Sequence, residues 1–154
     1  MKIGQIFLDV SASSSDERFI ELVAALAEQG VEQHVLVAGA RLARRLADIP
    51  KVCVGPVVRT PVMAYCLMPD VDLAHVHEIR SGQAGLLLTL TRSIPFVITA
   101  SRDQARQRNP ISRSVFRRAA RTIASNGSAP AAALAEKHRR IYAETVTAWR
   151  RGLR

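Results

Sequence analysis

Asp72-Leu73-Ala74-His75-Val76-His77-Glu78 gathers more groups able to do chemistry than any other stretch of this chain. It reads as a short buried strand that ends in polar residues. His75 and His77 are two apart, so on a strand both side chains point to one face. Imidazoles at that spacing can ligate a metal, carry protons near neutral pH or hydrogen-bond a ligand. No cysteine or further histidine joins the pair in the sequence, so no metal site is expected. For His77, an ordinary hydrogen-bonded role and a ligand contact both stay open.

Two other segments carry polar groups of interest. Ser11 to Ser15 is a serine-rich loop, and Ser14 with Glu17 three residues later makes a capping box ahead of a helix. Arg102, Arg106, Arg108, Arg113, Arg117, Arg118 and Arg121 lie within 20 residues whose one acid is Asp103. With Ile111, Val115 and Phe116 at roughly helical spacing, this segment suits either an anionic membrane surface or a solvated basic face.

These groups are positioned by a regular alternation of elements. Lys2 to Leu8 is a β-type run; the helix after it buries Phe19, Leu22, Val23 and Leu26 and stops at Gly30. A strand over Gln33 to Ala38, a short helix over Arg41 to Ala47 and a strand over Val52 to Val54 follow, then a weakly helical stretch from Thr60 to Met68. Asp72 to Thr99 is strand, Gly/Leu-rich helix and strand in 28 residues, a crossover unit. Ser101 to Asn109 reads as a polar loop, Pro110 and Ser112 open a helix, and Thr122 to Ala124 is a further strand. An alanine-rich helix is expected from about Pro130 to His138, and Ile141 to Val146 reads as a last strand. Alternation without hairpin turns predicts a mainly parallel sheet covered on both faces, a single three-layer α/β/α domain. In such a sheet ligands bind beyond the carboxyl ends of the strands, where His77 and Glu78 fall.

The totals set bounds. At 154 residues with 48% hydrophobic and 23% charged residues, one domain with one continuous core is expected. Two cysteines 13 residues apart, Cys53 and Cys66, form no CxxC pair, which suits a reduced, cytoplasmic setting. The apolar run Ile6 to Leu8 is too short for a signal peptide or a span. Residues 1 to 77 hold 7 basic and 9 acidic residues and 78 to 154 hold 15 and 4, so the net charge of +9 resides in the second half. Such a field attracts anionic partners. Nucleic acid is disfavoured among them, because aromatics are only 5% and no recognition motif is present.

Taken in order, the pieces resemble the amino-terminal domain of the glycosyltransferase family 4 enzymes, which have the two-domain GT-B architecture. The resemblance runs through Lys2-Ile3-Gly4-Gln5-Ile6, Asp16 to Leu22, Val35-Leu36-Val37, Asp72 to Glu78, Ile94-Pro95-Phe96-Val97-Ile98-Thr99 and Ile123-Ala124-Ser125. Its most telling part is Asp-x-x-His-x-His-Glu followed by Ile-Pro-x-Val-x-Thr. It implies a Rossmann-like, acceptor-holding lobe that transfers a sugar to a cell-surface glycan or glycolipid at the inner face of a membrane. The nucleotide-sugar donor would bind a second, carboxy-terminal domain or subunit, and no cofactor is expected in this chain, which alone should not transfer sugar. Crevice loops around Asp9 to Ser15, His77 to Ser81 and Ser101 to Arg102 would hold the acceptor, with Arg102 a candidate partner for an acceptor phosphate. His75 would be a packing residue. Ser14 and Ser15 stand where the family commonly has Gly-Gly, and serve either as a helix cap or as phosphate donors. Ser101 stands where family members often carry a histidine against the reacting sugar; a hydroxyl cannot replace that proton carrier. The reading from another class is a catalytically silent scaffold that docks an anionic membrane or acidic protein through the basic half.

Overall fold

The computed structural model describes residues 1–9, 13–100, 109–124 and 130–152. Their strands are β1 (Lys2–Phe7), β2 (Glu32–Val37), β3 (Val52–Val54), β4 (Leu73–Val76), β5 (Phe96–Ala100) and β6 (Arg121–Ala124). The helices are α1 (Ser13–Glu28), α2 (Ala40–Ala47), α3 (Pro61–Leu67), α4 (Ile79–Arg92), α5 (Pro110–Arg118) and α6 (Ala131–Arg150). All strand pairs are parallel, in the order β3-β2-β1-β4-β5-β6. The fold is therefore Rossmann-like, a six-stranded sheet between two layers of helices.

Local chemistry sets the element ends. Gly30 at φ 80° turns the chain out of α1, and the Val31 N–H closes on the Leu26 carbonyl at 3.0 Å. Thr60 caps α3 and Asn109 caps α5, each followed by a proline whose missing N–H costs nothing in the first turn.

Period-two alternation sorts the sheet residues into two cores. Ile6, Ala74, Val76, Phe96 and Ile98 face α3, α4 and α5, meeting Ala64, Met68, Leu88 and Val115. On the opposite face Ile3, Leu73, Val97 and Ile123 meet Leu22 and Leu26 of α1 and Tyr142 and Val146 of α6. Phe7, Val35 and Val37 continue that face under α1 and α2.

Two expectations are corrected. Ile141 to Val146 is not a strand but the interior of α6, because Ala135, His138, Tyr142 and Val146 recur at helical spacing and are all buried against the sheet. Secondly, α1 already begins at Ser13, ahead of the expected capping residue, and Glu17 pairs with Arg45 of α2. Among the described residues no helix is long and apolar enough to cross a membrane, and Cys53 and Cys66 are free and exposed.

Gly85 shows how closely α4 lies on the sheet: a Cβ there would meet Phe96 Cδ2 at 2.7 Å and its Cβ at 3.2 Å. Phe96 is fully buried and cannot yield. Gly85→Ala should therefore lower stability by about 1 kcal/mol, the overpacking outweighing the gain in helix propensity; urea unfolding of the variant measures it.

Candidate functional site

The strand order reverses between β1 and β4: α1 leaves β1 toward one face and α4 leaves β4 toward the other. The diverging helices open a crevice at the strands' carboxyl ends, the position where open α/β sheets bind ligands. It has a volume of about 290 Å³, and its polar lining comprises Asp9, Ser15, Arg18, His77, Glu78, Thr99 and His138.

Glu78 is the N-cap of α4, two residues beyond the end of β4. Its Oε1 accepts hydrogen bonds from the Leu8 N–H at 2.8 Å and from the Ser81 hydroxyl, which ties the β1 and β4 loops together. Its Oε2 is buried without a partner. Burial pushes the Glu78 carboxyl up, helped by the nearby Asp9 charge and opposed by those hydrogen bonds.

Behind the crevice lies a ladder of buried polar groups whose proton positions follow from its ends. Gln33 Nε2 lies 2.8 Å from the Val23 carbonyl, which can only accept, so the amide nitrogen sits there. Gln33 Oε1 then accepts from Gln5 Nε2 at 3.2 Å, and Gln5 Oε1, 2.8 Å from His77 Nε2, needs a donor. His77 accordingly carries its proton on Nε2, leaving Nδ1 a lone pair. His138 is set the same way: Nδ1 lies 2.6 Å from the Leu134 carbonyl and must donate, so the buried, unpartnered Nε2 is an acceptor.

His75 is fully buried, with Nδ1 2.6 Å from the Tyr142 hydroxyl and Nε2 2.7 Å from the Thr99 hydroxyl. One nitrogen donates and the other accepts in either tautomer, so the neutral ring is satisfied. The rings of His75 and His77 are 3.9 Å apart by centroid and those of His75 and His138 5.3 Å. Burial, with the other imidazoles adding to it, holds His75 well below the ordinary value and His77 at about 3; burial, helped by the Lys137 charge, drives His138 down against the pull of the Leu134 carbonyl. Burial pushes the Tyr142 phenol up, keeping it a hydroxyl.

Of the residues expected at the site, Asp9, Ser15, His77 and Glu78 line this one crevice. The side chain of Ser14, and the whole of Ser101, Arg102, Arg106 and Arg108, lie outside the described residues. Arg113, Arg117, Arg118 and Arg121 are exposed on α5 and at the start of β6, away from the crevice lining. His75 is a core residue, as the resemblance implies. The residues that sequence reasoning missed are His138 and Tyr142, together with Gln5, Gln33 and Thr99. A further histidine does join the pair, delivered by α6. The i, i+4 spacing of His138 and Tyr142 with Val146 was the signal that could have found them. Among the described residues, no group of three His, Cys, Asp or Glu side chains is arranged to hold a metal ion; His75 spends both nitrogens on hydroxyls, and His77 and His138 spend one each on an amide and a carbonyl.

What the crevice offers a ligand is the Glu78 and Asp9 carboxylates and the His138 lone pair as acceptors, beside the Thr99 hydroxyl and Arg18. Leu22, Ile123 and Leu134 form its apolar wall. Fold and crevice together define a Rossmann-like domain with an open crevice at its switch point. No family model and no curated protein sequence matches the chain.

Two outcomes follow for the ladder. Tyr142→Phe orphans one nitrogen of His75 and should cost about 1–3 kcal/mol in urea unfolding at pH 7.5. The pH dependence is the second. Folded-state values for the three imidazoles lie below 6.5, so as pH falls through 6.5 the unfolded chain binds protons first and stability drops, the His77 contribution running down to about pH 3. Each imidazole takes away about 1.4 kcal/mol per pH unit within its window. Glu78, with its raised value, works in the opposite direction at the acid end. His138→Gln should make the measured fall below pH 6.5 shallower, by at most about 1.4 kcal/mol per unit.

Proposed function

We propose that this chain is the acceptor-side lobe of a GT-B glycosyltransferase similar to family 4. Its crevice holds a hydroxyl-rich glycan or glycolipid acceptor, while a nucleotide-sugar donor binds a second domain or subunit. The observation that carries the reading is the pair of buried acceptors without partners, Glu78 Oε2 and His138 Nε2, at the switch-point crevice. A buried acceptor left unpaired costs free energy that a ligand hydroxyl recovers by donating to it. A sugar presents several such hydroxyls on one rigid ring, and the mixed lining, apolar on the Leu22 and Ile123 side and polar at Glu78 and Thr99, suits a ring with both kinds of face. The raised proton affinity of Glu78 is the property wanted in a group that accepts the hydrogen of a reacting hydroxyl. In this reading the lobe works in cell-envelope glycan assembly, in the cytoplasm at the inner face of a membrane.

A second reading, a silent module that docks an anionic membrane or acidic protein, draws on the exposure of Arg113, Arg117, Arg118 and Arg121. Salt-sensitive flotation with anionic vesicles, indifferent to sugars, would favour it.

The test is a titration of the chain with methyl glucoside, methyl galactoside and methyl mannoside, followed by the imidazole resonances of His77 and His138. Saturable shifts with at least one glycoside are expected, and Glu78→Gln should weaken that binding about tenfold through loss of a charge-assisted hydrogen bond. Silence with all three, together with no sugar transfer on mixing with a nucleotide-sugar-binding lobe, defeats the proposal.

A further inference from the structure

We infer that the chain has a second ligand site, a pocket for a phosphate-bearing molecule with a flat apolar group, at the end of the sheet opposite the crevice. A cavity of about 420 Å³ opens there, where α5 leads into β6 and α6 ends. Arg117, Arg118 and Arg121 line it with Thr145, Trp149 and Leu90, and among the described residues no acidic side chain contributes. The volume lies in the range of small-molecule sites.

Three features set this cavity apart from a solvated basic face. First, the arginines are concentrated on one hollow, and among the described residues none of the three forms an ion pair. Guanidinium forks match the oxygens of a phosphate two at a time, which a field of dispersed charge does not. Second, Thr145 is only 4% exposed and its hydroxyl has no partner. A helical threonine ordinarily returns its hydroxyl to the carbonyl one turn back; this one, in the cavity lining, is left for a phosphate oxygen. Third, Trp149 is held in orientation by its indole N–H, which donates to the Ser93 carbonyl at 2.9 Å. Beside it Leu90 is 54% exposed, a large apolar side chain on the cavity wall. Cations, a buried hydroxyl and a fixed aromatic face together select a phosphate monoester or diester that carries a ring or an acyl segment. The phosphate could belong to a soluble metabolite or to a lipid headgroup, and the chemistry of recognition is the same.

Trp149 is the sole tryptophan of the chain, so its fluorescence reports on this cavity and not on the crevice. Titration with phenyl phosphate should change that fluorescence saturably, inorganic phosphate should compete more weakly, and the neutral phenol should do nothing. The double variant Arg117→Lys with Arg121→Lys keeps the charge and removes the forks; it should bind phenyl phosphate about tenfold more weakly. Thr145→Val should weaken it as well, with circular dichroism verifying the fold of both variants. Vesicles containing phosphatidic acid form the second arm: a response to phenyl phosphate and vesicles alike admits a lipid headgroup as the natural source, and a response to phenyl phosphate alone assigns a soluble ligand. A response to vesicles alone, no saturable response to phenyl phosphate, or equal binding by the lysine variant overturns the site and leaves a generic basic surface.

Discussion

The carbonyl oxygen of Val23 can only accept a hydrogen bond, and from that one fact the direction of every link in the buried ladder follows, through Gln33 and Gln5 to His77. The ladder joins α1, β2, β1 and β4, the elements on either side of the strand-order reversal. It is the polar counterpart of the apolar contacts among the same elements, and it has little tolerance for error, because a half-satisfied buried network is worse than an apolar core. Its direction leaves His77 with a lone pair facing away from Gln5. The crevice thus acquires acceptor character from a main-chain oxygen of α1, through Gln33 and Gln5 on the same face of the sheet.

His75 sits one step behind. Register places Gln5 beside it on β1 and Val97 on β5, so it is enclosed by sheet neighbours laterally and by Tyr142 and His138 from α6 above. Closely packed imidazoles in a dry site persist only as neutral rings. Neutrality, in turn, makes α6 dependent on pH, since the helix contributes His138 and Tyr142 to the same cluster. The long terminal helix is therefore a structural element of the site as well as a cover for the sheet.

Much of this order was legible in the residues. Apolar runs such as Gln33 to Ala38 and Val52 to Val54, separated by helical spacing, imply parallel strands, and the polar tail of the Asp72 to Glu78 segment marks the crevice because strands in such sheets run into it. Ile141 to Val146 misled, since its β-branched and aromatic residues fit a strand when composition is weighed alone. What decided it was tertiary: one helical face, Ala135 to Val146, has a sheet to pack against. The same error hid His138 and Tyr142, whose role depends on a contact 67 residues away along the chain between His75 and Tyr142. Ladder partners at such separations leave no local pattern, and Gln5 reads from sequence as an isolated polar residue in an apolar strand.

The imbalance of charge between the two halves of the chain acquires a direction in space. The acidic groups Asp9 and Glu78 stand at the carboxyl ends of the strands, while Arg117, Arg118 and Arg121 gather where β6 begins, at the opposite end. Arg121 also opens an edge strand, where an exposed charge discourages pairing with another chain. One end of the sheet therefore presents chiefly acceptors and the other chiefly donors. A phosphate approaching the crevice would meet two carboxylates beside Arg18, whereas a neutral polyol there meets the unpartnered Glu78 Oε2 and His138 Nε2. At the arginine end the preference inverts. Two ligands of different charge are thus sorted to opposite ends of one sheet, the anion by the field of the arginines and the neutral polyol by hydrogen bonds to the crevice acceptors.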